Sequence, residues 1–339
     1  MTVALFTLGG TIAMGGVAKG GDGPGGGAVT RLTGAQLTAA VPGLADLGEP
    51  LEVQDTQAVP SASLAFSQLL DLVKDASRAV EQGATGVVVT QGTDTLEESA
   101  YLVDLVWPHE APFVLTGAMR NPTLAGPDGP ANLLAAARVA ASPAARGLGA
   151  LAVLNDEIHA ARWVRKTHST STGTFASPDL GPIGQVIEGR VRILAAPPRH
   201  ESSPAVPGAD RLTAAGLADT RVALYTVTLD DDGALLEGLA DTHQGLVVAG
   251  FGVGHVPSAL APVLGALAER IPVVLTSRCG AGSVLRQTYG AVGSERDLQR
   301  RGLINAGLLD PYKARILLRL LLATGADREA VTAAFARHG

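Results

Sequence analysis

The stretch Gly86-Val87-Val88-Val89-Thr90-Gln91-Gly92-Thr93-Asp94-Thr95-Leu96-Glu97-Glu98-Ser99-Ala100 decides how the chain is read. Gly86–Thr90 is an apolar, β-branched run without polar alternation, the pattern of a strand covered on both faces. A short polar turn follows. Thr95-Leu96-Glu97-Glu98 then has the spacing of a capping box and opens a helix that must end before Pro108. A strand, a turn and a helix in so few residues form the repeating unit of a parallel α/β sheet.

Outward from this stretch the unit recurs. Further strands are predicted at Val3–Leu8, Pro112–Thr116 and Gly149–Leu154, and then at Arg221–Thr226, Gly245–Ala249 and Pro272–Leu275. Over 64–80, Phe66, Leu69, Val73, Ala76 and Val80 recur at helical spacing until Gly83 stops the run. Asp128-Gly129-Pro130 and Asp310-Pro311 open helices with proline where no amide donor is missed, and Asp327 caps a last short helix. Two segments fit neither pattern. Gly15–Val29 is glycine-rich, lacks aromatic residues and reads as a mobile loop. Ala195–Asp210 is proline-rich and reads as an interdomain linker. The expected organisation is an N-terminal α/β catalytic domain over 1–194, a linker over 195–210 and a smaller α/β domain over 211–339.

Composition narrows the function. The 339 residues are 46% apolar and 17% charged, which excludes disorder for most of the chain. Twenty-six basic residues against 32 acidic ones leave a net charge of −6 and no cationic face for nucleic acid. The single cysteine, Cys279, excludes an intrachain disulfide and a multi-cysteine metal site. No basic residue precedes Lys19, and the first apolar run passes directly into Gly9-Gly10-Thr11, so no secretory signal is read there. The apolar run Ile316–Ala323 is broken by Arg319 and is too short to span a bilayer. A cytoplasmic protein acting on small molecules is expected.

Ligands of open parallel sheets bind beyond the carboxyl ends of the strands. The predicted strand ends are followed by Gly9-Gly10-Thr11-Ile12, Gln91-Gly92-Thr93-Asp94, Gly117-Ala118-Met119-Arg120, and Asn155-Asp156 with Arg165-Lys166-Thr167 a little farther on. Position alone leaves two readings for each. Thr11, after two glycines that admit a close ligand, is a nucleophile or a strand-end threonine. Asp94 is a carboxylate partner or a helix-dipole residue, and Lys166 a base or a solvated surface lysine. The capping box accounts for Thr95.

At these residues the sequence resembles the bacterial L-asparaginase/glutaminase family of threonine amidohydrolases. The likeness rests on Thr7-Leu8-Gly9-Gly10-Thr11-Ile12-Ala13, on Val89–Ala100, and on Leu115-Thr116-Gly117-Ala118-Met119-Arg120. It extends to Ala125-Gly126-Pro127-Asp128-Gly129, Val164-Arg165-Lys166-Thr167, Gly302-Leu303, Leu309-Asp310-Pro311 and Lys313-Ala314-Arg315, and so covers nearly the whole chain. The resemblance implies a larger flavodoxin-like N-terminal domain and a smaller C-terminal parallel-sheet domain. It makes Thr11 the nucleophile and Thr93, Lys166 and Asp94 a proton relay. Gly10, Thr56, Gln57, Gly92 and Ala118 would bind substrate, Ala118 through its backbone carbonyl, and Asp94 would also hold the substrate's α-amino group. Lysine serves as a base only where burial lowers its pKa from about 10.4. Backbone N–H groups near Gly92–Thr93 would bind the oxyanion, an effect of about 2.7–4 kcal/mol per donor in other hydrolases. The substrate would be L-asparagine or L-glutamine, the assembly a homodimer or homotetramer, and no cofactor or metal is implied.

The chain departs from the family pattern in places. Its first loop lacks the tyrosine that usually bonds the nucleophile, and Tyr289 stands where secreted members carry an acid from a neighbouring subunit; it is a candidate for the missing phenol. His255 replaces a common asparagine and reads as a structural histidine at a helix start. Four rivals are weaker. Gly250-Phe251-Gly252-Val253-Gly254 lacks dinucleotide-binding spacing, and the seven histidines show no H-E-x-x-H pair. The amidase subunit of a tRNA-dependent amidotransferase conflicts with the acidic charge balance. A catalytically silent amino-acid sensor could dispense with Thr11, Thr93, Asp94 and Lys166, which are all present.

Overall fold

The computed structural model describes residues 2–15, 30–31, 33–56, 59–197 and 205–339. The chain divides into two compact α/β units, Met1–Ala205 and Val206–Gly339. Of the proline-rich segment expected at 195–210, residues 198–204 lie outside the described residues.

In the first unit, β1 (Thr2–Thr7) leads into a 3-10 turn at Thr11–Ala13 and then β2 (Met14–Gly15), which pairs antiparallel with β3 (Thr30–Arg31). The glycine-rich loop expected over 15–29 lies, from residue 16 on, outside the described residues. Helix α1 (Gly34–Ala39) opens with a capping box between Thr33 and Gln36. Next come β4 (Leu51–Asp55), α2 (Phe66–Glu81), β5 (Ala84–Thr90), α3 (Leu96–Val106), β6 (Phe113–Thr116), α4 (Gly129–Ala141) and β7 (Ala150–Leu154). The five parallel strands lie in the order β4-β1-β5-β6-β7. That is the 2-1-3-4-5 order of a flavodoxin-like sheet, whose winding reverses between β1 and β5.

The unbroken apolar runs have the burial this order requires. Val3, Leu5, Val88, Val114, Leu151 and Val153 join Leu133 and Val139 of α4 in one buried cluster. The alternating residues Phe6, Val89 and Leu115 are fully buried too, as side chains on the opposite face of a doubly covered sheet must be. The sequence reading omitted β4 from its strands because β4 is an edge: its residues alternate between half-buried and exposed.

Beyond β7 the sheet stops being parallel. β8 (Glu157–Ala160) returns antiparallel, β9 (Arg165–Lys166) and β10 (Phe175–Ala176) form a separate two-residue ladder, and β11 (Gly184–Ile187) and β12 (Arg190–Ile193) complete an eight-stranded mixed sheet. These strands are short and partly exposed, so they lacked the apolar signal of buried parallel strands.

The capping box predicted at Thr95–Glu98 does not form. Thr93–Thr95 winds as a 3-10 turn ahead of α3, which moves the start of the helical run up to Thr93. Thr95 therefore no longer faces a free helix end, and its hydroxyl donates to the Ser61 carbonyl at 3.0 Å. The other openings hold. Pro130 lies in the first turn of α4.

In the second unit, α5 (Ala214–Asp219) precedes β13 (Val222–Thr226), followed by α6 (Leu239–Thr242), β14 (Gly245–Gly250), α7 (Leu260–Arg270), β15 (Val273–Ser277), α8 (Glu295–Arg300), β16 (Ile304–Asn305), α9 (Pro311–Ala323) and α10 (Arg328–His338). The four strands form one parallel sheet in chain order. Asp310 accepts from the N–H groups of Tyr312 and Lys313, and Asp327 from that of Ala330, as predicted for both helix starts.

Candidate active site

The winding reversal between β1 and β5 places two strand ends side by side, and the chain after each turns sharply. Gly9 and Gly10 have φ of +86° and +88°, which a side chain resists. Gly10 also has no room for one: a Cβ there would lie 2.3 Å from the Gly92 nitrogen and 2.6 Å from the Gln91 carbonyl carbon. Both glycines are thus required by the turn, and they press the residue before Thr11 against the turn after β5. The residue after Thr11 is equally fixed. Ile12 is 2% exposed, and its Cγ1 would be 2.9 Å from a Cβ on Gly129, whose other near neighbour is the Ala118 methyl at 3.3 Å. Thr11 therefore sits between two residues locked onto the ends of β5 and β6.

The β6 turn closes the same neighbourhood. A Cβ on Gly117 would meet the Gln91 carbonyl oxygen at 2.6 Å and Thr93 Cγ2 at 3.1 Å. Ala118 is buried at 1% exposure. The turns that carry Gly92, Thr93 and Ala118, named from sequence as site residues, accordingly pack together with the residues on either side of Thr11, Gly10 and Ile12.

Lys166 reaches this group from β9. Its Nζ donates to Thr93 Oγ1 at 3.0 Å and to Asp94 Oδ1 at 2.9 Å. The lysine side chain is 14% exposed and the aspartate 70%, so the ion pair has one dry end and one wet end. An ion pair that open contributes about 0–1 kcal/mol to stability. Its geometry is better explained by chemistry: a threonine hydroxyl, an amine and a carboxylate in hydrogen-bond sequence can pass a proton. Glu97, the second residue of α3 and buried, accepts from the Lys166 backbone N–H at 3.3 Å, so one helix start holds both ends of the lysine.

Thr56 follows β4, and both its hydroxyl (2.7 Å) and its N–H (3.4 Å) bond the Thr7 carbonyl, fixing the edge of the site beside β1. Asp55 holds the same strand end by accepting from the Thr7 hydroxyl at 2.7 Å and the Gly34 N–H at 2.8 Å. Gln57 lies outside the described residues. Tyr289 belongs to the second unit. Its ring is half exposed and stands edge-on to His255, with centroids 4.9 Å apart. His255 does not open a helix as expected. It bridges to Phe251 in the turn after β14, and its Nε2 lies 3.2 Å from the buried Glu295 carboxylate. Among the described residues no group of three or more His, Cys, Asp or Glu could hold a metal ion.

Two other residues escaped the sequence reading. The sequence offers Asp128 as a helix opener and as part of a family motif without a site role, and offers nothing for Asn132, yet both bond the backbone of the Ala118 turn. Their i, i+4 spacing at a helix start is the signal that was available.

The comparisons with known proteins agree along the whole chain. Residues 2–199 match the family model described as Asparaginase, N-terminal, and residues 221–335 that of the Glutaminase/Asparaginase C-terminal domain. The chain belongs to the asparaginase family. Within it, a probable L-asparaginase of Deinococcus radiodurans is 36% identical over 88% of this chain and 89% of its own. A glutaminase-asparaginase of Pseudomonas aeruginosa is 34% identical over 86% and 78%. The crystal structure of a probable cytoplasmic L-asparaginase from Campylobacter jejuni superposes with a TM-score of 0.84 at 30% identity, covering 99% of both chains. The asparaginase fold is the two-unit α/β architecture described above, and the family makes the chain an amidohydrolase.

Proposed function

We propose that this protein hydrolyses the side-chain amide of L-asparagine to L-aspartate and ammonia. The observation that carries the reading is the Thr93–Lys166–Asp94 hydrogen-bond sequence beside the Gly9-Gly10-Thr11 turn. Thr11 attacks the amide carbon, and its hydroxyl proton passes toward the Thr93–Lys166–Asp94 relay. A threonine hydroxyl needs such a base to become nucleophilic. Backbone N–H groups at the helix start around Gly92–Thr93 bind the oxyanion, where the helix dipole favours negative charge. Ammonia leaves with the returned proton, and water hydrolyses the acyl-threonine ester. The exposed Asp94 carboxylate holds the substrate's α-amino group, Thr56 and Gln57 its head group, and the Ala118 carbonyl accepts from the amide being cleaved.

The reading extends to a cytoplasmic homodimer or homotetramer, with a domain boundary in the 195–210 segment. Tyr289 supplies a phenol from the second domain of a neighbouring copy. No helix among the described residues is long and apolar enough to cross a membrane. The similarity to a glutaminase-asparaginase supports a second reading, in which L-glutamine is also a substrate. One methylene separates the two amides, a difference of about 1–3 kcal/mol in a pocket.

The test is ammonia release from L-asparagine, L-glutamine and D-asparagine by the wild type and by Thr11→Ala. Release from L-asparagine that disappears in the variant is the expected result. Equal rates on glutamine give the second reading, and no release by the folded wild type overturns both in favour of the silent sensor.

A further inference from the structure

The turn after β6 is held by side chains from the start of α4, and the pattern of the bonds is specific. Asn132 is 2% exposed. Its Nδ2 donates to the Gly117 carbonyl at 3.0 Å and to Asp128 Oδ2 at 3.1 Å, while its Oδ1 accepts from the Asn155 N–H after β7 at 2.9 Å. Asp128 Oδ2 accepts from the Met119 N–H at 3.0 Å and Oδ1 from the Arg120 N–H at 2.8 Å. The Met119 N–H and the Ala118 C=O belong to one peptide group. That group is planar and trans, so its carbonyl points opposite to its N–H. Fixing the Met119 N–H on Asp128 therefore aims the Ala118 carbonyl away from the carboxylate. The Gly117 carbonyl, pinned by Asn132, belongs to the peptide group on the other side of Ala118. Both peptide planes flanking Ala118 are thus set by one carboxylate and one carboxamide. The charged acceptor also polarises the Met119 N–H, which strengthens the Ala118 carbonyl as an acceptor in its turn.

We propose that Asp128 and Asn132 are positioning residues for amide recognition, holding the Ala118 carbonyl ready for the N–H of the substrate's leaving amide. This rests on the asparagine-hydrolysing reading above. The pair touches neither substrate nor reacting atoms. It acts by removing the freedom of one backbone acceptor before substrate arrives, so that binding does not bear the cost of ordering it.

The experiment compares two substrates that differ at the leaving group. L-Asparagine brings an N–H to the Ala118 carbonyl; the β-methyl ester of L-aspartate, hydrolysed to L-aspartate and methanol, brings none. Asp128→Asn leaves a single acceptor oxygen for two backbone donors, so the turn loosens. Its kcat/KM on L-asparagine is expected to fall about tenfold, mainly through KM, as the loss of about one hydrogen bond predicts. On the ester it changes less than about twofold, because the misaimed carbonyl had no partner there. Circular dichroism and a thermal melt establish that the variant is folded. Should Asp128→Asn not fold, Asn132→Ala, which leaves the carboxylate contacts to Met119 and Arg120 in place, is read in the same way with a smaller shift of about threefold. A folded variant that loses amide and ester activity by the same factor, or neither, overturns the proposal. A wild type that cleaves the ester but releases no ammonia from L-asparagine overturns the underlying reading instead.

Discussion

The two units use the carboxyl edges of their parallel sheets in opposite ways. In the first, Lys166 is tethered to Thr93 and Asp94, and the Asp94 carboxylate remains 70% exposed. In the second, the charged groups at the strand ends are committed to holding loops. After β13 the Tyr225 hydroxyl donates to Asp231, which also accepts from the N–H groups of Thr228 and Gly233. Against the turn after β14, the carboxylate of Glu295, the first residue of α8, is fully buried, accepting from the Tyr289 N–H at 2.7 Å and lying 3.2 Å from His255 Nε2. After β15 the Arg278 guanidinium donates to the Val227 carbonyl and lies over the Phe251 ring, 4.3 Å from its centroid. The electrostatics follow. Burial pushes the Glu295 carboxyl up, but the backbone N–H groups of Tyr289, Glu295 itself and Thr288, together with His255, outweigh it and hold the group below the usual carboxylate range. Asp231 is held low in the same manner, burial being overcome by Tyr225 and two backbone donors. On the function proposed above, similar strand edges serve chemistry in one unit and scaffolding in the other, according to whether the acid stays open.

This contrast can be broken experimentally. The largest effect is expected for Thr11→Ala, which should lower turnover by about 10⁴-fold or more, as removal of a nucleophile does elsewhere, while leaving the melting temperature nearly unchanged. Lys166→Met should cost about 10³-fold in kcat and no more than about 1 kcal/mol in urea unfolding, because its ion pair is open to water on the Asp94 side. Glu295→Ala should do the reverse. By stranding the Tyr289 N–H it should lower the unfolding free energy by about 1–3 kcal/mol, with a smaller effect on turnover than Lys166→Met. Equal kinetic damage from the Glu295 and Lys166 substitutions would erase the distinction. Tyr289→Phe sharpens it: a drop in kcat of up to about tenfold at constant stability would assign the phenol to the reaction, and unchanged turnover would return it to the scaffold.

The smallest effect is one of pH. A carboxylate whose folded pKa is depressed contributes stability above its unfolded value, about 4.3 for glutamate, and loses it as pH falls through the folded value. Urea unfolding should therefore show the wild type weakening as pH drops below about 4.3, and Glu295→Gln should flatten part of that slope.

Much of this was legible in the chain. Val3–Leu8 and Gly86–Thr90 announced buried parallel strands because a doubly covered strand has no polar face to disguise it. Asp310 and Asp327 announced helix starts because capping is local. The short antiparallel strands over 157–193 and the edge strand Leu51–Asp55 are missed because short or partly exposed strands carry weak apolar patterns. The capping box at Thr95 failed because a tertiary acceptor, the Ser61 carbonyl, stood within reach of its hydroxyl.

The site shows the same division. Gly9-Gly10-Thr11, Thr93-Asp94 and Lys166 were nameable as residue types at strand ends, since sequence fixes both backbone tolerance and chemical identity. Sequence could not place Lys166 Nζ at 3.0 Å from a threonine 73 positions away, nor show that Asp128 and Asn132 hold the peptide planes on both sides of Ala118. Local propensity is written in neighbouring residues. The distance between a lysine and a hydroxyl, or the direction of a carbonyl, is decided only when the sheet order brings separate strand ends together and burial leaves each polar group few partners within reach.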